Sequence, residues 1–114
     1  FEAEILEQAS RLTAAGAGIQ LSPNAARCLI ALGLGPAVAA RACAPEAIDI
    51  RAASGRALAA LPLGETSLRR YGAPYHVIHR GALQDVLLEA ASREPRVSLR
   101  LGQRFEGSFE GILI

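Results

Sequence analysis

A mixed α/β fold is what this 114-residue sequence predicts, and three observations carry that expectation. Short runs of alternating apolar and polar residues, such as Val97-Ser98-Leu99-Arg100-Leu101, have the two-residue period of strands. Other segments have helical spacing, the clearest being Ala82 to Arg93. The two patterns interleave along the chain, which marks an α/β or α+β body. Half of the residues are hydrophobic, enough to build a core at this length.

The elements follow in order. Residues 2–7 read as a short strand entered mid-element, and Gln8 to Gln20 as a polar loop of small residues. Ser22-Pro23-Asn24 is a helix start, since serine can cap and proline suits the first helical position. That helix runs from Ala25 to Leu32, with Ala25, Leu29 and Leu32 along one face and Gly33 placed to end it. Asn24 and Arg27 are its only polar side chains, so burial on most sides is expected. A second short helix spans Pro36 to Ala42 and is closed by Pro45.

Ile48 and Ile50 alternate with Asp49 and Arg51 in a strand, and Ala53-Ser54-Gly55-Arg56 reads as a hairpin turn into Ala57–Leu61. Pro62 to Pro74 reads as loop, carrying Arg69, Arg70 and Tyr71. Tyr75–His79 is a strand. Ala82 to Arg93 is an amphipathic helix with Leu83, Leu87, Ala90 and Ala91 on its apolar stripe. Val97–Leu101 is the last strand.

Twelve basic and eleven acidic residues leave a net charge of +1, with the signs interspersed. That balance gives no electrostatic reason to expect nucleic acid or an anionic membrane as partner. No stretch approaches membrane-spanning length, so a soluble body is expected. Every basic residue is arginine and alanine is abundant, which reads as codon bias and not as chemistry. The sequence begins at Phe1 and ends on Gly111-Ile112-Leu113-Ile114; neither end resembles a natural terminus, no signal peptide is present, and the chain reads as cropped. Cys28 and Cys43 lack zinc or redox spacing, and are expected to be buried, unpaired thiols in a reducing cytoplasm.

Few residues point to chemistry on their own. Gly16-Ala17-Gly18 invites a dinucleotide-fingerprint reading, but Ile19-Gln20-Leu21 follows and the third small residue is missing, so a tight-turning loop is the local reading. Glu7 ends the first strand, where an acid can accept hydrogen bonds from ribose hydroxyls or simply be solvated. Arg80 sits between an apolar strand and a helix, where a guanidinium suits a diphosphate or another anion. The alternative for Arg80 is a surface pair with Asp85 or Glu89. His76 and His79, three apart on a strand, fall on opposite faces and make no metal site. None of the serines has a nucleophile-elbow context, and Asp49 reads as the solvent side of its strand.

Taken together, several segments resemble the FAD-dependent aromatic-ring monooxygenases of the salicylate hydroxylase and para-hydroxybenzoate hydroxylase type. They are Ile5-Leu6-Glu7-Gln8-Ala9, Gly16 through Ala25, Ala31-Leu32-Gly33-Leu34-Gly35, Tyr75-His76-Val77-Ile78-His79-Arg80, and the Leu83…Leu87-Leu88 helix. Their order and spacing match from about residue 1 to residue 104, whereas Phe105 to Ile114 do not resemble the family. The resemblance implies part of a Rossmann-like FAD/NAD(P)-binding domain with strands of the adjoining substrate-side sheet. In those terms residues 1–114 are a partial domain, with the first βα unit before Phe1 and the C-terminal half beyond Ile114. It further implies that Glu7 binds the adenosine ribose, that Gly18 and Ile19 lie on a loop near the flavin, and that Arg80 approaches the diphosphate. The implied activity is hydroxylation of a small aromatic substrate by FAD, NAD(P)H and O2, in a cytoplasmic protein that can form homo-oligomers. No residue here is a persuasive acid or base for that chemistry. A truncated, non-catalytic remnant and an FAD-dependent oxidoreductase that does not hydroxylate are the alternatives.

Overall fold

In the computed structural model, residues 2–13 and 16–106 are described. The terminal run Gly111 to Ile114 lies outside them. The chain divides into two units, Phe1–Thr13 with Leu88–Ile114 and Ala14–Leu87.

In the first unit, β1 (Ala3–Glu7) pairs in parallel with β7 (Val97–Leu101), Ala3 opposite Val97 and Glu7 opposite Leu101. Glu4 and Arg100, neighbours across this ladder, form an ion pair of 2.6 Å. Beyond the strands, Gly102 N–H donates to the Ala9 carbonyl and Gln103 N–H to that of Glu7. Both strands match the sequence expectation.

The second unit is built on a three-stranded antiparallel sheet in the order β2 (Gly18–Leu21), β6 (His76–His79), β3 (Ala42–Cys43). The register sets Gly18 opposite His79, Ile19 opposite Ile78 and Leu21 opposite His76. One face of the sheet carries Ile78 and Leu21, which form the core with Val38 and Val86; Ile19, Ala42, Leu29 and Leu83 pack around them. The other face carries Gly18, Gln20, Val77 and Cys43, as strand alternation requires. Tyr75, just before β6, donates from its hydroxyl to Gln20 Oε1 at 2.6 Å.

Among the described residues there are also four helices: α1 (Pro23–Ala31), α2 (Gly35–Ala39), α3 (Gly64–Tyr71) and α4 (Arg80–Arg93). Ser22 has the extended backbone of an N-cap, but its hydroxyl bonds Asn24 Oδ1 and not a helix N–H. At the other end Gly33, at φ +76°, closes α1. There Leu34 N–H reaches the Leu29 carbonyl and Gly33 N–H that of Ile30, a Schellman closure of the predicted helix end. A hairpin of β4 (Ala47–Arg51) and β5 (Ala57–Pro62) lies between α2 and α3 in the chain. Its turn is held by Ala52 N–H to the Arg56 carbonyl, as the sequence led one to expect.

Six expectations are corrected. The loop expected through Gln20 gives way at Gly18 to β2, because β6 supplies an antiparallel partner that local chemistry could not reveal. The expected loop Pro62–Pro74 contains α3, with Glu65 in its first turn, Arg69 and Arg70 in its last and Gly72 at φ +69° closing it. The second helix stops at Ala39, and Ala42 joins β3 to pair with Ile78. In α1 only Ala26 is buried, while Ile30 and Leu32 remain 49% and 69% exposed. The core-facing stripe of α4 is Ala82, Leu83 and Val86, and Leu87 points away from it. Cys28 and Cys43 are free, as expected, but exposed instead of buried.

Candidate functional site

The chemistry-bearing region of the second unit is the junction of β2, β6 and α4. β6 ends at His79 and α4 begins at Arg80 without an intervening loop. The junction is pinned by two bonds: Arg80 N–H donates to the Ala17 carbonyl at 3.2 Å, and Gly81 N–H to His79 Nδ1 at 3.2 Å. Gly81 is buried, so the start of α4 lies tight against the sheet. These contacts bring Arg80 beside the segment Gly16-Ala17-Gly18.

The side chain confirms that placement. A Cβ built on Gly16 would come within 2.5 Å of Arg80 Nε, 2.7 Å of Nη2 and 2.8 Å of Cζ. The guanidinium therefore lies across a backbone cradle that exists only because residue 16 has no side chain. Gly16 also has φ +149°, a conformation glycine adopts at no cost. Gly18 differs: a Cβ there would meet only Val77 Cγ1 at 3.7 Å, an ordinary contact. Its neighbour Ile19 is half-buried against the core.

Glu7 lies in the other unit, at the C-terminal end of β1. Its Oε1 accepts the Ala9 N–H at 2.7 Å, which fixes the carboxylate over the turn that leaves the strand. The structure thus brings Gly18, Ile19 and Arg80 together in one unit and holds Glu7 at a strand end in the other.

Two features escaped the sequence reading. One is the role of Gly16, which had been grouped with a generic flexible loop. The other is an apolar pocket of about 280 Å³ lined by Ala26, Leu29, Ile30, Pro36, Val38 and, at one side, His76. His76 is on the core face and His79 is exposed, in agreement with the opposite-face expectation. Among the described residues, no cluster of His, Cys, Asp or Glu could hold a metal ion. No described helix is long and apolar enough to cross a membrane.

The arrangement at α4 suits a phosphorylated cofactor. A planar guanidinium at a strand–helix junction, set beside bare glycine backbone, is a group that can pair with phosphate or carboxylate oxygens. The stretch that carries it has relatives. No protein-family profile matches the chain. Among characterised proteins, it is 43% identical over 103 residues to a 3-amino-4-hydroxybenzoate 2-monooxygenase of Streptomyces cremeus, covering 90% of this chain and 25% of that protein. It is 38% identical over 105 residues to a 3-hydroxybenzoate 6-hydroxylase of Polaromonas naphthalenivorans, covering 91% of this chain and 26% of that protein. Among solved structures, a p-nitrophenol 4-monooxygenase from Pseudomonas putida superposes with a TM-score of 0.75 at 19% identity, over 89% of this chain and 26% of that one. A 2-methyl-3-hydroxypyridine-5-carboxylic acid oxygenase gives 0.70 at 24% identity, over 87% and 24%.

The fold is accordingly that of an oxygenase segment. The chain belongs to the FAD-dependent aromatic-ring monooxygenases that its sequence resembles. It spans about a quarter of the length of the relatives it matches.

Proposed function

We propose that this chain is part of the FAD-binding region of a monooxygenase that hydroxylates a small aromatic acid, with NAD(P)H as reductant and O2 as oxidant. On this reading residues 1–114 carry a Rossmann-like portion together with strands of the substrate-side sheet. The first βα unit and the C-terminal half lie elsewhere in the polypeptide. The observation that carries the reading is the Arg80 guanidinium seated on Gly16 at the head of α4, within a stretch homologous to aromatic monooxygenases.

FAD, when bound, supplies the redox chemistry of hydroxylation. The residues of this chain bind and orient it. Arg80 offers two parallel N–H donors to the diphosphate, a geometry that lysine cannot reproduce. Gly18 and Ile19 let the backbone of β2 come close to the cofactor, which agrees with a glycine at position 18 that no neighbour in the chain demands. Glu7, its carboxylate held by Ala9 N–H, accepts from the ribose hydroxyls. The substrate class follows the relatives, whose names specify hydroxylated or aminated benzoates. Self-association fits a solved relative described as tetrameric. Free thiols at Cys28 and Cys43 suit a reducing cytoplasm.

The test is a flavin titration of the flavoprotein that contains this chain, followed by NAD(P)H oxidation with 3-hydroxybenzoate and product analysis. Stoichiometric FAD with a hydroxylated product supports the reading. FAD binding with NAD(P)H oxidation but no hydroxylated product, across a panel of benzoates, would favour a non-hydroxylating oxidoreductase. A folded protein that binds no flavin would favour a non-catalytic remnant.

A further inference from the structure

Gly16 lies two residues before the start of β2. Two facts about it are independent of each other: its φ of +149°, and the 2.5–2.8 Å separation that would arise between any Cβ there and the Arg80 guanidinium. We infer that Gly16 is a positioning residue for Arg80: the missing side chain creates the seat that fixes where the guanidinium points. The inference rests on the proposed role of Arg80 toward the cofactor diphosphate for its functional consequence, but not for its geometry.

The base of the Arg80 side chain is already fixed. Arg80 N–H is bonded to the Ala17 carbonyl, and the next residue is buried against the sheet. Four rotatable bonds still separate that anchor from the guanidinium, and its rotamer freedom must be lost for the fork to be ready for an anion. The space that a side chain at position 16 would fill is taken by the guanidinium, and this close fit to the Gly16 backbone removes part of that freedom in advance. A methyl group at position 16 strains the backbone through its positive φ, and what it meets in space is the far end of the flexible Arg80 side chain, which is the group that gives way to it. Substitution at 16 therefore acts on the orientation of Arg80 more than on packing.

Gly33 is the natural control. It too has a positive φ, +76°, but a Cβ there meets nothing within 4 Å. Gly33→Ala thus also strains a positive-φ backbone, with no guanidinium in the way. The experiment follows the side-chain Nε–H resonance of Arg80 by NMR in the flavoprotein that contains this chain, before flavin is added, assigned by its disappearance in Arg80→Lys. Gly16→Ala is expected to move this resonance, while Gly33→Ala leaves it in place. A resonance unmoved by Gly16→Ala, or moved equally by both variants, overturns the inference. In the flavoprotein, Gly16→Ala is expected to weaken FAD binding about tenfold or more, the scale of losing an oriented charged hydrogen bond. In an Arg80→Ala background the same change should cost less than about twofold, and equal losses in both backgrounds overturn the coupling. An FAD affinity indifferent to Arg80→Ala overturns the cofactor reading instead, and the resonance still decides whether Gly16 seats the guanidinium.

Discussion

Truncating Ile78 to alanine tests the register on which the Arg80 junction depends. Ile78 is 2% exposed at the centre of β6, opposite both Ile19 and Ala42, in contact with the cluster that includes Val38 and Val86. The substitution removes three carbons, worth about 2.4 kcal/mol at roughly 0.8 kcal/mol each. A residual void of about 50 Å³ would add roughly 1.2 kcal/mol, because strands flanked on both sides collapse poorly. The expected loss is about 3.5 kcal/mol, large against the roughly 5–15 kcal/mol of a small domain. Urea unfolding followed by far-ultraviolet circular dichroism measures it. With a slope of about 1–1.5 kcal/mol per molar, the midpoint should fall by roughly 2.3–3.5 M. Leu58→Ala on β5, where the side chain is 53% exposed, should change stability by less than about 0.5 kcal/mol. A loss below about 1 kcal/mol at Ile78, or an equal loss at Leu58, would refute the placement of the core.

Three further outcomes are expected. Glu7→Ala should weaken FAD binding by about 1–3 kcal/mol in the flavoprotein, as measured by fluorescence titration; unchanged affinity would remove Glu7 from the site. The Arg96 side chain, and then its backbone N–H, hold the Glu94 carboxyl below its ordinary 4.5. A lowered carboxylate contributes stability above its unfolded value and loses it as pH falls through the folded one. Carbon-detected NMR should therefore find Glu94 titrating below 4.5, and Arg96→Ala should return it toward that value. The 114-residue chain by itself is expected to purify colourless and to self-associate, because β1 and β7 form a parallel pair with open edges. A yellow monomer with near-stoichiometric flavin absorbance would contradict that.

The elements that sequence revealed are those whose pattern is complete within themselves. β7 alternates, α1 carries its own start and its glycine stop, and the hairpin turn sits between two apolar runs. β2 was invisible because four residues beginning with glycine become a strand only when His76–His79 lies alongside. α3 was missed because its composition is polar, although its signals were present: Glu65 and the Arg69–Arg70 pair complement the helix dipole, and Gly72 supplies the left-handed stop. Burial of Ser67 and Ala73, not an apolar stripe, ties that region down. At the candidate site, Arg80 and Glu7 were legible as charged residues at element ends. The seat at Gly16 was not, since only the fold brings residue 80 back to residue 16. Amphipathic expectation also overstated the burial of α1, whose Ile30 and Leu32 face outward among the described residues.

The parallel pairing of β1 with β7 has a consequence for how the chain is made. Ala3 must find Val97, and the whole of Ala14–Leu87 is synthesised between them. At ribosomal rates of about 5–20 residues per second, β1 waits on the order of 5–20 s for its partner to emerge. The sheet of β2, β6 and β3 can close within that interval, because all its strands precede Leu88. β1 thus meets β7 only after the intervening unit has been made, and until then Ile5 and Leu6 lack the neighbour they have in the finished sheet. For this pair of strands the slow step is the wait for β7 to leave the ribosome, and the translation rate of the stretch between them sets how long that wait lasts.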